Sequence, residues 1–127
     1  MSAIVESSPQ RVEISYFDQN ESFARQLPRR GVLAGPLTDT SGKADWYVVH
    51  LDEPISHQVE DPAAAKFRVI NASQLLVRSR WSGKPIGGAA PTSVFLLLAD
   101  DSQLPLPLPL DLTAYAHIAW GMCSNIP

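Results

Sequence analysis

The chain has 127 residues, 45% of them hydrophobic and 18% charged, and carries a formal net charge of -3. That length suits one domain, with enough apolar material for a core of its own and too much for wholesale disorder. The longest apolar run, residues 94–99, falls well short of the roughly 18 residues of a membrane helix. A lone cysteine, Cys123, excludes an intrachain disulfide framework and an all-cysteine zinc site. The first residues, MSAIVESSPQRVE, lack the basic and apolar regions of a secretion signal, so a soluble cytoplasmic protein with no membrane partner is expected.

Residues 1–28 read as an arm. Within it RVEISY (11–16) alternates polar and apolar as a half-buried strand does. Residues 20–27 suit one or two helical turns, with Asn20 as N-cap, Pro28 as the stop, and Phe23 and Leu27 on one face. From Gly31 the pattern turns to strands. GVLAGPL (31–37) is apolar but interrupted by glycine and proline, which predicts an edge or bulged strand. Residues 38–43 (TDTSGK) are turn chemistry, short oxygen side chains followed by a glycine. WYVVHL (46–51) is the plainest strand, and DEP after it predicts its end. FRVI (67–70) and LLVRSRW (75–81) predict two further strands separated by an Asn71-Ala72-Ser73 turn.

On the last of these, Leu75, Val77, Ser79 and Trp81 share one face, which predicts a core position for the indole. Leu76, Arg78 and Arg80 take the other face. Residues 82–92 form a Gly/Pro-rich loop. The run 93–99 is apolar on both faces and calls for cover on both sides. LPLPLPL (104–110) favours polyproline II, and its own domain is the expected resting place of its leucines. Asp111 or Thr113 then predicts the cap of a short helix over 114–120, with Tyr115 and Ile118 on its inner stripe. The expected architecture is mostly β: a small SH3-like barrel or sandwich of about five strands over 29–101. The arm precedes it, and a Leu-Pro segment with a short C-terminal helix (102–127) follows.

The charge is segregated. Residues 31–62 sum to -5, while 63–90 hold Lys66, Arg68, Arg78, Arg80 and Lys84 without an acid. Pairing of the two segments in one sheet accounts for this, since cross-strand charge pairs are ordinary sheet chemistry. The basic block is also a local field that steers an anionic partner. No chemistry-bearing motif competes with it. Gly42-Lys43 and Gly83-Lys84 lack the upstream glycine and the following Ser or Thr of a phosphate loop. His50, His57 and His117 have no metal-ligand spacing, and no nucleophile elbow is present, so no cofactor, metal or catalytic residue is expected.

The expected function is a non-catalytic protein-interaction module that binds another protein or itself through edge strands and the C-terminal segment. Arg78, Arg80, Trp81 and Lys84 serve an acidic partner in this reading, and Leu106, Leu108 and Leu110 seat in an apolar groove. The alternative is a nucleic-acid-binding small β barrel that uses Arg68, Arg78, Arg80 and Lys84. A small enzyme with an unrecognised site is the third reading.

Overall fold

A computed structural model describes residues 10–17, 21–61, 66–81, 86 and 90–126. The first strand, β1 (Gln10–Phe17), puts Val12 and Ile14 into the core, as its alternation requires. A single helical turn, α1 (Glu21–Ala24), buries Phe23, and Leu27 packs beside it, so the expected i, i+4 pair docks. The strands β2 (Arg29–Leu37), β3 (Trp46–Asp61), β4 (Lys66–Ser79), β5 (Thr92–Ala99) and β6 (Ala116–Asn125) follow. Each strand pairs antiparallel with the next, and β1 pairs with β6, closing a six-stranded barrel.

Mostly β and a small barrel are thus correct, with four differences. The supposed arm is a barrel strand that fills the gap between β2 and β6. This makes six strands, in an up-and-down order, instead of a five-stranded SH3-like core confined to 29–101. The expected C-terminal helix is β6: only a 3-10 turn, Leu112–Ala114, follows the Asp111 cap, and residue 116 is already paired with Leu98. Tyr115 and Ile118 are both buried, but in different clusters on opposite sides of the sheet.

The third difference is that residues 67–70 and 75–79 belong to one strand. The expected turn at Asn71-Ala72-Ser73 is instead a change of phase within β4. Ile70 and Ala72 face the core before it, and Leu75 and Val77 after it. Asp101 accepts from the Ser73 backbone N–H at 2.8 Å and from its hydroxyl at 2.7 Å, anchoring the change. Fourth, β3 does not end at Asp52-Glu53-Pro54. Its pairing with β4 shifts register between His50 and Ile55 and runs on to Asp61. Beyond residue 55, β3 and β4 pair only with each other among the described residues, so this hairpin projects past the closed part of the barrel.

Two apolar clusters hold the fold. The inner one fills the barrel with Val12, Ile14, Val49, Leu75, Val77, Leu96, Leu98 and Cys123 among others. The outer one lies between the sheet's other face and the Leu-Pro segment: Trp46, Val48, Leu76, Leu97 and Ala99 beneath, Leu106, Leu110, Leu112 and Tyr115 above. This explains the run 93–99, whose two faces meet the two clusters. The β2–β3 loop clamps the strap in place. Leu110 N–H donates to Thr38 O at 2.8 Å, and Thr40 N–H donates to Leu110 O at 3.0 Å. The Asp39 carboxylate shapes that loop by accepting from Ser41 N–H (2.8 Å), Ser41 Oγ (2.6 Å) and Lys43 N–H (3.2 Å), which holds its pKa below the ordinary value.

Burial pushes the Cys123 thiol up to about 12, so almost no thiolate exists at neutral pH. A disulfide-exchange reagent added to the native protein at about pH 8, near the free-thiol pKa, is expected to leave Cys123 unmodified until denaturant is added. Rapid labelling of the folded chain would contradict its placement in the inner core.

Candidate functional site

The register places four large side chains in one row on the outside of the barrel. Trp46 of β3 lies opposite Arg78 of β4, Arg78 opposite Phe95 of β5, and Phe95 opposite Trp120 of β6. Directly opposed residues point to the same face, and adjacent strands are about 4.8 Å apart, so these groups touch in sequence across the sheet. The Arg78 guanidinium carbon stands 4.7 Å from the Phe95 ring centre and 5.5 Å from that of Trp46. The Phe95 and Trp120 rings are 3.9 Å apart at 33°. Two residues along, on the same face, Arg80 lies 4.4 Å above Trp120 and 5.1 Å from Trp81.

Trp81 is 56% exposed, which corrects the expected core position. The strand ends at Ser79, so the alternation that would have turned the indole inward stops before it. The Ser79 hydroxyl accepts from Trp81 N–H at 3.2 Å and donates to Trp81 O at 2.9 Å, bending the chain back on itself. Arg80 N–H donates to Ser93 O at 2.9 Å, which ties this corner to β5.

Arg78, Arg80 and Trp81 therefore come together as the sequence suggested. Lys84 lies outside the described residues. Arg68 does not join them. It is ten residues back along β4, about 33 Å of extended strand, and precedes the phase change, so it shares the parity of the core-facing Ile70 and Ala72. The three leucines also separate. Leu110 is fully buried, Leu106 is partly buried against the outer cluster, and Leu108 is 60% exposed. Leu110 has no surface left to offer a partner. The rings of Trp46, Phe95 and Trp120 were not among the expected site residues, since only cross-strand register reveals them.

The acids of β3 and the bases of β4 do lie on paired strands, but the ion pairs among the described residues run the other way around the barrel. Arg11 binds Asp52 in a fork, at 2.7 Å and 2.5 Å, and so lowers the Asp52 pKa. Arg29 reaches Glu53 at 3.1 Å, and Arg30 reaches Glu13 at 3.0 Å. Among the described residues neither Arg78 nor Arg80 pairs with a carboxylate. The aromatic rings take the place of counter-ions, and each such contact contributes about 0.5–1 kcal/mol when exposed.

The row ends in a pocket of about 210 Å³ whose walls include Trp46, Arg78, Phe95, Leu97, Leu112 and His117. Among the described residues no three His, Cys, Asp or Glu side chains converge to hold a metal ion. No helix among them is long and apolar enough to cross a membrane. Comparisons with protein-family models, curated proteins and solved structures found no match.

The histidines are dispersed. His50 is exposed on β3, while His57 is buried, with Phe23 edge-on at 5.4 Å. Burial lowers the His57 pKa from its ordinary 6.5. The unfolded chain thus takes up a proton below pH 6.5 that folded His57 resists. Its contribution to stability is complete above that pH and is lost as pH falls toward the lowered value. Urea unfolding is expected to show stability declining below pH 6.5, with this part of the slope absent in His57→Leu. An unchanged slope in the variant would assign the decline to other groups.

Proposed function

We propose that this chain is a non-catalytic protein-interaction module that holds an acidic segment of another protein on the Arg78, Arg80 and Trp81 face of its barrel. One observation supports this above the others. Two guanidiniums without carboxylate partners among the described residues rest on aromatic rings at the outside of the barrel. A guanidinium lying on a ring keeps its edge N–H groups free to bind a carboxylate in two-point geometry. The ring also restricts the side chain beforehand, which lowers the entropy lost on binding. Exposed Trp81 supplies apolar contact beside the charges, and tryptophan and arginine are residue types that dominate binding energy at protein interfaces. Leu108 on the strap adds a second exposed apolar contact elsewhere on the surface. A single cysteine kept as a free thiol fits a reducing, cytoplasmic compartment.

Single-stranded nucleic acid on the same strip is the second reading, favoured by Trp81, which stands exposed with Arg80 beside it as a base-stacking platform would. The net charge of -3 weighs against it. Tryptophan fluorescence of the purified chain, titrated with a glutamate-rich peptide and separately with oligothymidine, separates the two. A saturable response to the peptide is expected, with affinity at least about tenfold weaker in an Arg78→Gln/Arg80→Gln variant, the scale of losing a charged hydrogen bond. Preference for oligothymidine, falling steeply with salt, would assign the strip to nucleic acid instead. Silence toward both probes would end both readings.

A further inference from the structure

The pocket at the Trp46 end of the row has a chemistry of its own. Trp46 is only 4% exposed, and its Nε1–H is buried without a hydrogen-bond partner. That nitrogen is closed to the cavity as well as to the protein's own acceptors, so the indole serves as an apolar wall. Arg78 lines the same cavity, pairs with no carboxylate among the described residues, and is held between Trp46 and Phe95. The remaining walls are largely apolar, with Phe95, Leu97 and Leu112 prominent and His117 contributed by β6. About 210 Å³ is below the roughly 300 Å³ at which drug-sized sites begin, so the occupant is small.

We propose that this pocket binds a small monocarboxylate with an apolar body, of the size of an aryl acid. The body lies among Phe95, Leu97 and Leu112. The carboxylate meets the Arg78 guanidinium in two-point geometry. A charged acceptor suits Arg78 better than a neutral one, because hydrogen bonds to ionised groups are about twice as strong. A purely apolar ligand would leave Arg78 without a counter-ion. Leu112, in the turn capped by Asp111, forms one wall, so the segment that covers the sheet also contributes to the cavity. This inference shares Arg78 with the acidic-partner reading but needs neither Arg80 nor Trp81.

The experiment is a titration of tryptophan-¹⁵N-labelled full chain with benzoate, and in parallel with benzamide, which has the same shape without the charge. Three indole N–H cross-peaks are expected, from Trp46, Trp81 and Trp120; Trp81→Phe and Trp120→Phe assign the last two and leave Trp46 by elimination. Benzoate, taken to about 10 mM because fragments of this size bind weakly, is expected to move the Trp46 peak saturably as its ring packs beside the indole. Benzamide is expected to move it far less, and Arg78→Gln to weaken benzoate binding at least about tenfold. Equal response to benzamide would overturn recognition of the carboxylate. Movement of the Trp81 or Trp120 peaks with Trp46 still would place benzoate on the open strip and overturn the pocket. No movement of any peak would also overturn it. If benzoate fails while the glutamate-rich peptide binds, only this proposal falls.

Discussion

Replacing Leu110 with alanine is expected to lower stability toward urea by about 2–5 kcal/mol, the usual cost of truncating a fully buried leucine. Leu110 has no exposed surface, sits in the outer cluster, and is the residue whose N–H and C=O bridge to the β2–β3 loop. The substitution leaves those backbone bonds possible but empties the space beneath them. Small domains have only about 5–15 kcal/mol of stability in all, so the unfolding midpoint shifts visibly. Leu108→Ala is the control: with its side chain 60% exposed two residues away, it is expected to stay within about 0.5 kcal/mol of the parent. Equal effects of the two substitutions would mean that the strap does not lie on the sheet as described.

Gly31→Ala is expected to be comparably damaging, for a different reason. A methyl group at position 31 would stand 2.3 Å from the His50 carbonyl oxygen and 2.9 Å from Val49 Cγ1. Gly31 is one of the residues at which β2 meets both neighbours, opposite Val12 of β1 and Leu51 of β3. The obstacle is strand backbone, which cannot swing aside as a side chain can, so β2 and β3 must separate locally. A loss of about 3 kcal/mol, at the upper end for overpacking, is expected from thermal or urea unfolding. Gly42→Ala tests the contrast. No atom lies within 4 Å of its added methyl, so only the cost of its positive φ of 89° remains. A Gly31 variant as stable as the Gly42 variant would refute the close approach.

Local patterns were legible and pairings were not. The alternation at 11–16, the Phe23/Leu27 stripe, the Asp39 turn and the bulge near Gly35 all follow from nearest neighbours along the chain, and all are present. The role of β1 was hidden because its partner β6 lies over a hundred residues away and leaves no mark on residues 11–16. Residues 114–120 look helical because alanine favours helices, yet closing the seam against β1 and β5 outweighs that weak preference. At the site, Arg78 and Arg80 were legible from their shared face with Leu76. The rings beneath them were not, since Trp46, Phe95 and Trp120 meet Arg78 and Arg80 only through the register of four strands.

The meeting of the first and last strands also sets an order of events. Val12 pairs with Asn125, and Ile126 N–H donates to Arg11 O at 2.9 Å, so the seam holds the least local contacts among the described residues. Proteins dominated by such distant pairings fold in milliseconds to seconds, because the chain-closing entropy must be met before the contact rewards it. The Leu-Pro strap precedes β6 in the chain. As the polypeptide emerges from a ribosome it therefore reaches the outer faces of β3, β4 and β5 while the barrel is still an open sheet. The outer apolar face of that half-made sheet thus has its cover in the next segment of the chain, made before the last strand that closes the barrel.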